Sequence, residues 1–403
     1  MSQRSVMIVG AGLMQLPAIR TALDMGFHVI ASDRNPDAPG LALADHALVL
    51  DIKDVEGHVA FARANADRLT IAGAFAGADC AVTVAAITNA LNLPGIPIEV
   101  AVASNNKSTM KKKWLADKVP TPFSVEVKSV EEARRALDKM GLPLIVKAVD
   151  NAASRGSKKI SSEAELSDAF EDAKWHSSTR TAIVEQFVDG DEQSVETVVY
   201  QGEHYRFGIV DRHFGFAPYL IEIGHTNPSS LPQDAQEQIY HVVQRAAISL
   251  GITFGPAKAD MILTKKGPMI LEMAARLSGG WHSQCTTPLA TGLDPIRTVL
   301  GLSTGGTMDI SDTVPIYHRV SVCKAVFPAP GKITKISGVE ESLKIKGVEK
   351  ALLVVREGDI ITEYNNCANR VCYLITVGDT HDEAIKHWQE AAQTVRIETI
   401  PVE

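Results

Sequence analysis

Ile270-Leu271-Glu272-Met273-Ala274-Ala275-Arg276-Leu277-Ser278-Gly279-Gly280 begins as an apolar strand and ends in a carboxylate, a guanidinium and a glycine pair. Upstream, Asp260 sits in a second apolar run, Ala257-Lys258-Ala259-Asp260-Met261-Ile262-Leu263, and Lys265-Lys266-Gly267-Pro268 between the runs reads as a turn. The two runs predict a hairpin in which Asp260 and Glu272 face each other. Facing carboxylates repel unless a cation lies between them, so this hairpin is the first candidate for a charged site.

At 403 residues the chain predicts two to four lobes, and 45% hydrophobic residues suffice to fill their cores. A net charge of −8 argues against general affinity for nucleic acid or an anionic membrane, leaving small molecules as the expected partners. Cys80, Cys285, Cys323, Cys367 and Cys372 are odd in number and lack paired CxxC spacing, so they read as reduced thiols of a cytoplasmic protein. The N-terminus runs into a strand without a signal-peptide pattern, and no apolar run reaches the roughly 18 residues of a membrane span.

The first hundred residues alternate short apolar strands with helical periods, which predicts a parallel sheet in an α/β lobe. Gly10 and Gly12 turn the chain sharply into a helix from about Leu16 to Met25, and Asp33 ends the next strand. Gln15 occupies the place of a third glycine, so the segment reads as a structural turn of a Rossmann-like lobe and not as a dinucleotide site. Asp79, at the end of a strand, has two readings: a helix N-cap or a substrate contact.

Lys107 opens a linking helix whose Lys111 to Lys113 read as a solvated face, and Pro120-Thr121-Pro122 separates it from a small α+β lobe. Within that lobe Lys147 lies in a very apolar strand, where an ammonium must meet an anion. The following loop offers backbone N–H groups from Ser154, Gly156 and Ser157 beside the Arg155 cation, a combination suited to polyphosphate, although it is not a Walker A loop. Glu185-Gln186-Phe187-Val188 ends a strand whose free backbone groups suit an adenine edge, with Glu192 placed for ribose hydroxyls; a plain hairpin reads the same way.

Taken together, Lys107, Lys147, the Ala153-to-Ser157 loop, the Glu185-to-Val188 crossover with Glu192 and the Asp260/Glu272/Arg276 constellation resemble the ATP-grasp superfamily. The likeness spans about residues 105 to 285, and the preceding lobe and C-terminal extension resemble its carboxylate–amine ligases. Ser194 to His204, Asp211 to Glu222 and Gly224 to Pro232 look most like bacterial L-amino-acid (dipeptide) ligases. The resemblance implies a Rossmann-like domain at 1–104, an ATP-grasp domain at 105–302 with a small lobe at about 123–199 and a catalytic lobe at about 200–302, and a β-rich C-terminal domain at 303–403.

By the same resemblance, Lys107, Lys147 and the 154–157 loop would hold ATP phosphates, Glu185, Gln186 and Val188 would line the adenine pocket, and Glu192 would take the ribose. Asp260 and Glu272 would bind Mg²⁺ (or Mn²⁺), and Arg276 would steady the transferring phosphoryl group. The chain departs from the family pattern at Ala274, where Asn is usual, and at Asp260, where Glu is commoner, which predicts a metal with fewer protein ligands and more waters. The implied reaction activates a carboxylate as an acyl phosphate and transfers it to an amine, with an amino acid as a substrate. The alternatives are a bicarbonate-dependent carboxylase of the biotin or purine-pathway kind, or a ligase with a non-amino-acid amine.

A lid is expected from residues 152–157 and from Arg212 to Tyr219. His225 reads as a substrate contact, an aid to proton removal or a structural hydrogen-bonding residue. Ser278, Gly279 and Gly280 offer backbone donors to an acyl oxygen or form a plain turn. Trp281 reads as a pocket wall or a core residue. The C-terminal domain is expected to pack against the active-site lobe and to assist a homodimer.

Overall fold

The computed structural model describes residues 3–402. Its first lobe is a four-stranded parallel sheet in the order His46–Val49, His28–Asp33, Ser5–Val9, Ile71–Phe75. The helix Leu16–Asp24 follows the first glycine turn. Gln15 is buried, and its side chain lies against both Gly10 and Gly12, filling the space where a dinucleotide's phosphates would approach. The Asp33 carboxylate accepts from the Ala11 and Asn35 backbone N–H groups, so it closes the turn.

A second, antiparallel sheet carries the small lobe in the order Ser124–Val127, Ala182–Gln186, Leu144–Ala148, Ser157–Ile160. The helices Val130–Met140 and Leu166–His176 bury Ala133, Ala136, Leu166, Ala169, Phe170 and Ala173 against it.

The largest sheet has eight strands in the order Gly267–Ala274, Gly255–Thr264, Asp191–Tyr200, Glu203–Gly215, Ile221–Asn227, Val320–Val326, Cys372–Gly378, Val348–Leu353. Two lobe boundaries shift as a result. Asp191–Tyr200 pairs with Glu203–Gly215 and Gly255–Thr264, so the small lobe ends before residue 191 and not near 199. Three strands from beyond residue 303 continue the same sheet through the pairing of Ile221–Asn227 with Val320–Val326, so the C-terminal region is joined to the preceding lobe by backbone hydrogen bonds.

The helix Gln233–Leu250 covers one face of the Gly255–Ala274 hairpin with Ile239, Val242, Val243, Ala246, Ala247 and Leu250, whose three- and four-residue spacing forms one apolar stripe. It stops at Gly251, which adopts φ +85°, a left-handed conformation open to glycine. The C-terminal helix His381–Thr394 is capped by the Thr380 hydroxyl, which accepts from Glu383 N–H. A three-stranded sheet of Ile360–Ile361, Gly331–Ser337 and Arg396–Ile400 completes the region.

Candidate active site

A cleft of about 440 Å³ opens where the small sheet, the Gly255–Ala274 hairpin, the 77–79 turn of the first lobe and the 367–370 loop of the C-terminal region meet. Cations slightly outnumber carboxylates along its wall, in a chain whose net charge is −8. Asp260 and Glu272 are cross-strand partners in the hairpin, and both line the cleft. Glu272 pairs with Lys107 at 3.3 Å. Asp260 pairs with Lys258 at 2.6 Å and Arg212 at 3.2 Å. The cations that the facing carboxylates demand are thus supplied partly by the chain itself, and Lys258 was not singled out in the sequence although it lies two residues away on the same strand face.

Arg276 lies past the end of its strand. Its Nε donates to Asp79 Oδ1 at 2.6 Å and its Nη1 donates to the Leu277 carbonyl at 2.9 Å. Asp79 is therefore not the cap of the following helix, whose N-cap is Cys80 with no side-chain hydrogen bond. It ties the first lobe to the segment that follows the Gly255–Ala274 hairpin.

Several expectations are corrected by burial. Lys111 is 1% exposed and forms an ion pair with Glu185 at 2.6 Å, so it is no solvated lysine. The helix Lys107–Ala116 turns this residue inward because Met110 and Trp114 anchor the same side in the core. Glu185 also accepts from Lys147 at 2.8 Å, so its carboxylate, 2% exposed, is engaged by two ammonium groups and is not free for an adenine. Glu185, Gln186 and Val188 all line the cleft.

In the 150–157 loop Ser154, Arg155 and Ser157 line the cleft, whereas Gly156 does not. A Cβ on Gly156 would stand 2.8 Å from His176 Cβ and 3.1 Å from Ala173 Cα, so this glycine answers close packing on a helix. The loop is fastened by Ser154 Oγ donating to the Leu220 carbonyl at 2.6 Å and by Cys367 N–H donating to the Ala153 carbonyl at 3.0 Å. Of the expected Arg212–Tyr219 lid, residues up to Gly215 belong to a strand, and the turn beyond them is bridged to the small lobe, where Tyr219 pairs with Lys158 and the Lys159 N–H donates to the Pro218 carbonyl at 3.2 Å. Arg212 is fixed among Glu192, Glu222 and Asp260, at 3.2, 3.0 and 3.2 Å. Glu192 is correspondingly held by a cation.

At the inner end, Ser278 N–H donates to the buried Glu196 carboxylate at 3.0 Å, so it is not available to an acyl oxygen. Gly279 and Gly280 line the cleft. Trp281 does not: its φ of +72° turns the ring into a cluster with Cys285, Cys323, Tyr373 and Ile375. His225 is buried, and its Nε2 lies 2.8 Å from Thr286 Oγ1. Burial pushes its imidazole down to about 4 despite the opposing pull of Glu222, so it is neutral at pH 7 and holds no proton to donate as a cation.

Glu222, Glu196, Lys258 and Arg370 are the charged residues of this region to which sequence reading assigned no role. Burial raises Glu222, but Arg212 outweighs it and brings the carboxyl down to about 2. An unfolded Glu222 protonates near its ordinary value and the folded one near 2, so between them the unfolded state binds more protons and stability rises with pH. Wild-type Tm is expected to fall as pH drops through that window, and the Glu222→Gln variant should show a flatter acid limb in the same thermal scans.

Residues 140–285 match the model of the ATP-grasp domain, and residues 325–399 match the L-amino acid ligase C-terminal domain 2. The chain belongs to the ATP-grasp family. A D-alanine--D-alanine ligase of Bordetella avium is 31% identical over 51% of this chain and 67% of its own length. An uncharacterized protein, y4rH, of Sinorhizobium fredii is 27% identical over 78% of this chain, which spans 65% of that protein. The fold is that of the L-amino acid ligase from Bacillus licheniformis, with a TM-score of 0.86 at 23% identity over 99% of this chain and 100% of the other. Among the described residues no helix is long and apolar enough to cross a membrane.

Proposed function

We propose that this protein is an ATP-dependent ligase that joins a carboxylate to an amine through an acyl phosphate, with an amino acid as a substrate and ADP and phosphate as products. The observation that carries the reading is the cross-strand pair Asp260 and Glu272 set in one cleft with Lys107, Lys147 and Arg276. Phosphoryl transfer needs little besides positioning and neutralisation of oxygen charge, and these groups are suited to that work.

The residues fit Mg²⁺ and ATP. Among the described residues no group of three or more His, Cys, Asp or Glu side chains is arranged to hold a metal alone. A Mg²⁺ ion retains several waters and takes one or two carboxylates plus substrate phosphates, and Asp260 with Glu272 meets that demand without the Asn that Ala274 replaces. When bound, the metal would neutralise charge on the phosphate oxygens. Lys107 and Lys147 would hold phosphates, Arg276 would face the transferring group, and the Ser154 amide with the Arg155 cation would cover the phosphate chain, since the Arg155 and Ser157 N–H groups already donate to the Ala152 and Ser154 carbonyls. The Ser154–Leu220 and Ala153–Cys367 fastenings support a closing role for that loop, since an acyl phosphate must be kept from water. Gly279 and Gly280 remain candidates for the acyl oxygen. The five cysteines are free and buried, and a cytoplasmic homodimer belongs to the same proposal.

Phosphate release from Mg-ATP is expected to require two amino acids together and to yield a ligated mass, with Glu272→Ala as the blank. Release with bicarbonate alone would replace this reading by the carboxylase one.

A further inference from the structure

Of the cations lining the cleft, Lys107, Lys147, Arg212, Lys258 and Arg276 each form an ion pair with a carboxylate. Among the described residues two cleft cations have no such partner, Arg155 and Arg370. Arg155 is exposed and needs none. Arg370 is half-buried and held rigidly: Nε donates to the Cys367 carbonyl at 2.8 Å, Nη1 donates to the Glu222 carbonyl at 3.2 Å, and the guanidinium stacks 5.1 Å from the Tyr373 ring centroid. Both protein acceptors are neutral carbonyls. The Glu222 carboxylate attracts this guanidinium from beyond ion-pair distance but is itself bound by Arg212, so part of the planar fork is left for an external anion.

A second observation points to a ligand in the same region. His282 lines the cleft, is 2% exposed, and neither of its ring nitrogens has a hydrogen-bond partner. Its ring centroid lies 5.6 Å from that of His225, which shares its strand with Glu222. An imidazole buried with both nitrogens unpartnered is a polar surface that a bound molecule or water completes.

The place of Arg370 decides which anion. The strand carrying Glu222 lies three strands along the sheet from the one carrying Asp260. That offset belongs to the backbones; the side chains converge, since Arg212 spans Glu222 and Asp260. Arg370, reaching the Glu222 carbonyl from the C-terminal region, stands one guanidinium and one carboxylate away from Asp260, a separation that an amino-acid-sized molecule bridges. We infer that Arg370 is the receptor for the α-carboxylate of the amine-bearing substrate, and that it makes the enzyme select a free amino acid over an uncharged amine at that position. The inference rests on the ligase reading above. It assigns the selection to the C-terminal region, on a loop that also fastens the 150–157 loop through Cys367.

The test uses the full-length protein with each of the twenty amino acids in pairs, and then with each member of a productive pair supplied as its carboxamide. The member whose amide abolishes turnover is the acyl donor, because its carboxylate is the reacting group. The other is the acceptor, and wild type should use its free acid about a hundredfold better than its amide, the usual scale for one charge-assisted contact. Arg370→Gln is expected to raise KM for the acid acceptor to that of the amide while leaving KM for ATP within about twofold, and Arg370→Lys to recover part of the preference. Equal acid-to-amide preference in wild type and Arg370→Gln, or a rise in KM for ATP instead, would overturn the assignment. Thermal shifts with the same amino acids and amides, beside a non-hydrolysable ATP analogue, separate the two claims. Wild type silent in phosphate release but stabilised by acids through Arg370 removes the ligase reading alone, whereas no acid-dependent shift, or one unchanged in Arg370→Gln, removes the inference.

Discussion

Arg276→Ala is expected to lower kcat for phosphate release by about a thousandfold or more, while binding of an ATP analogue changes little. The guanidinium is held by Asp79 through Nε and by the Leu277 carbonyl through Nη1, so its remaining donors have one orientation, toward the cleft. A group fixed before the reaction need not reorganise as charge moves onto the transferring phosphoryl oxygens, and that is why its removal should appear in kcat and not in affinity. Arg276→Lys should recover little, because one ammonium cannot keep the Asp79 contact and the carbonyl contact while presenting a third donor. Asp79→Asn keeps the side-chain shape and loses the charge, so about a tenfold loss is expected. Single-turnover phosphate release and fluorescent-analogue binding together check the split, and an Arg276→Ala enzyme within tenfold of wild type would remove Arg276 from the proposed machinery.

That Arg276 and Asp260 could be found in the sequence while Arg370 could not has a physical cause. The hairpin announces itself locally: two apolar runs, a two-residue turn and charges at positions of fixed parity suffice to place Asp260 opposite Glu272. The parallel lobe and the helix Gln233–Leu250 are legible for the same reason, since each is a short-range period. Arg370 lies in an irregular stretch whose meaning arises only when Cys372–Gly378 pairs with Val320–Val326 and that strand pairs in turn with Ile221–Asn227, far upstream in the chain. Lys111 illustrates the converse error. A run of three lysines reads as solvent-facing, yet a helix points consecutive residues in different directions, and the one beside Met110 and Trp114 is carried into the core with a carboxylate to meet it. Gly331–Ser337 and Arg396–Ile400 carry lysines, an arginine and a glutamate between their apolar residues, and a weak alternation on an outlying sheet gives little signal before its partner is known.

The Glu185→Ala variant is expected to lose about 3–5 kcal/mol of stability, the scale for removing one partner of a buried ion pair, and measured here as a fall in urea midpoint. The loss should fall at the upper end of that range, because Lys111 and Lys147 both depend on this carboxylate, at 2.6 and 2.8 Å. Burial already brings Lys111 down to about 8 against the pull of Glu185, so without that pull it falls further. A lysine whose folded pKa lies below its unfolded one binds fewer protons when folded, so stability rises with pH between the two values. Glu185→Ala should therefore regain part of its deficit as pH rises toward about 8, above which wild type gains in parallel. Replacing Lys111 by Met in the same chain removes the worse of the two stranded charges, and the double variant should recover stability without recovering activity. Lys147 would still lack the acceptor that aims it into the cleft, so KM for ATP should stay raised. If both recover together, the triad serves only the fold; if stability returns and KM does not, Glu185 orients the lysine on which phosphate binding is proposed to depend.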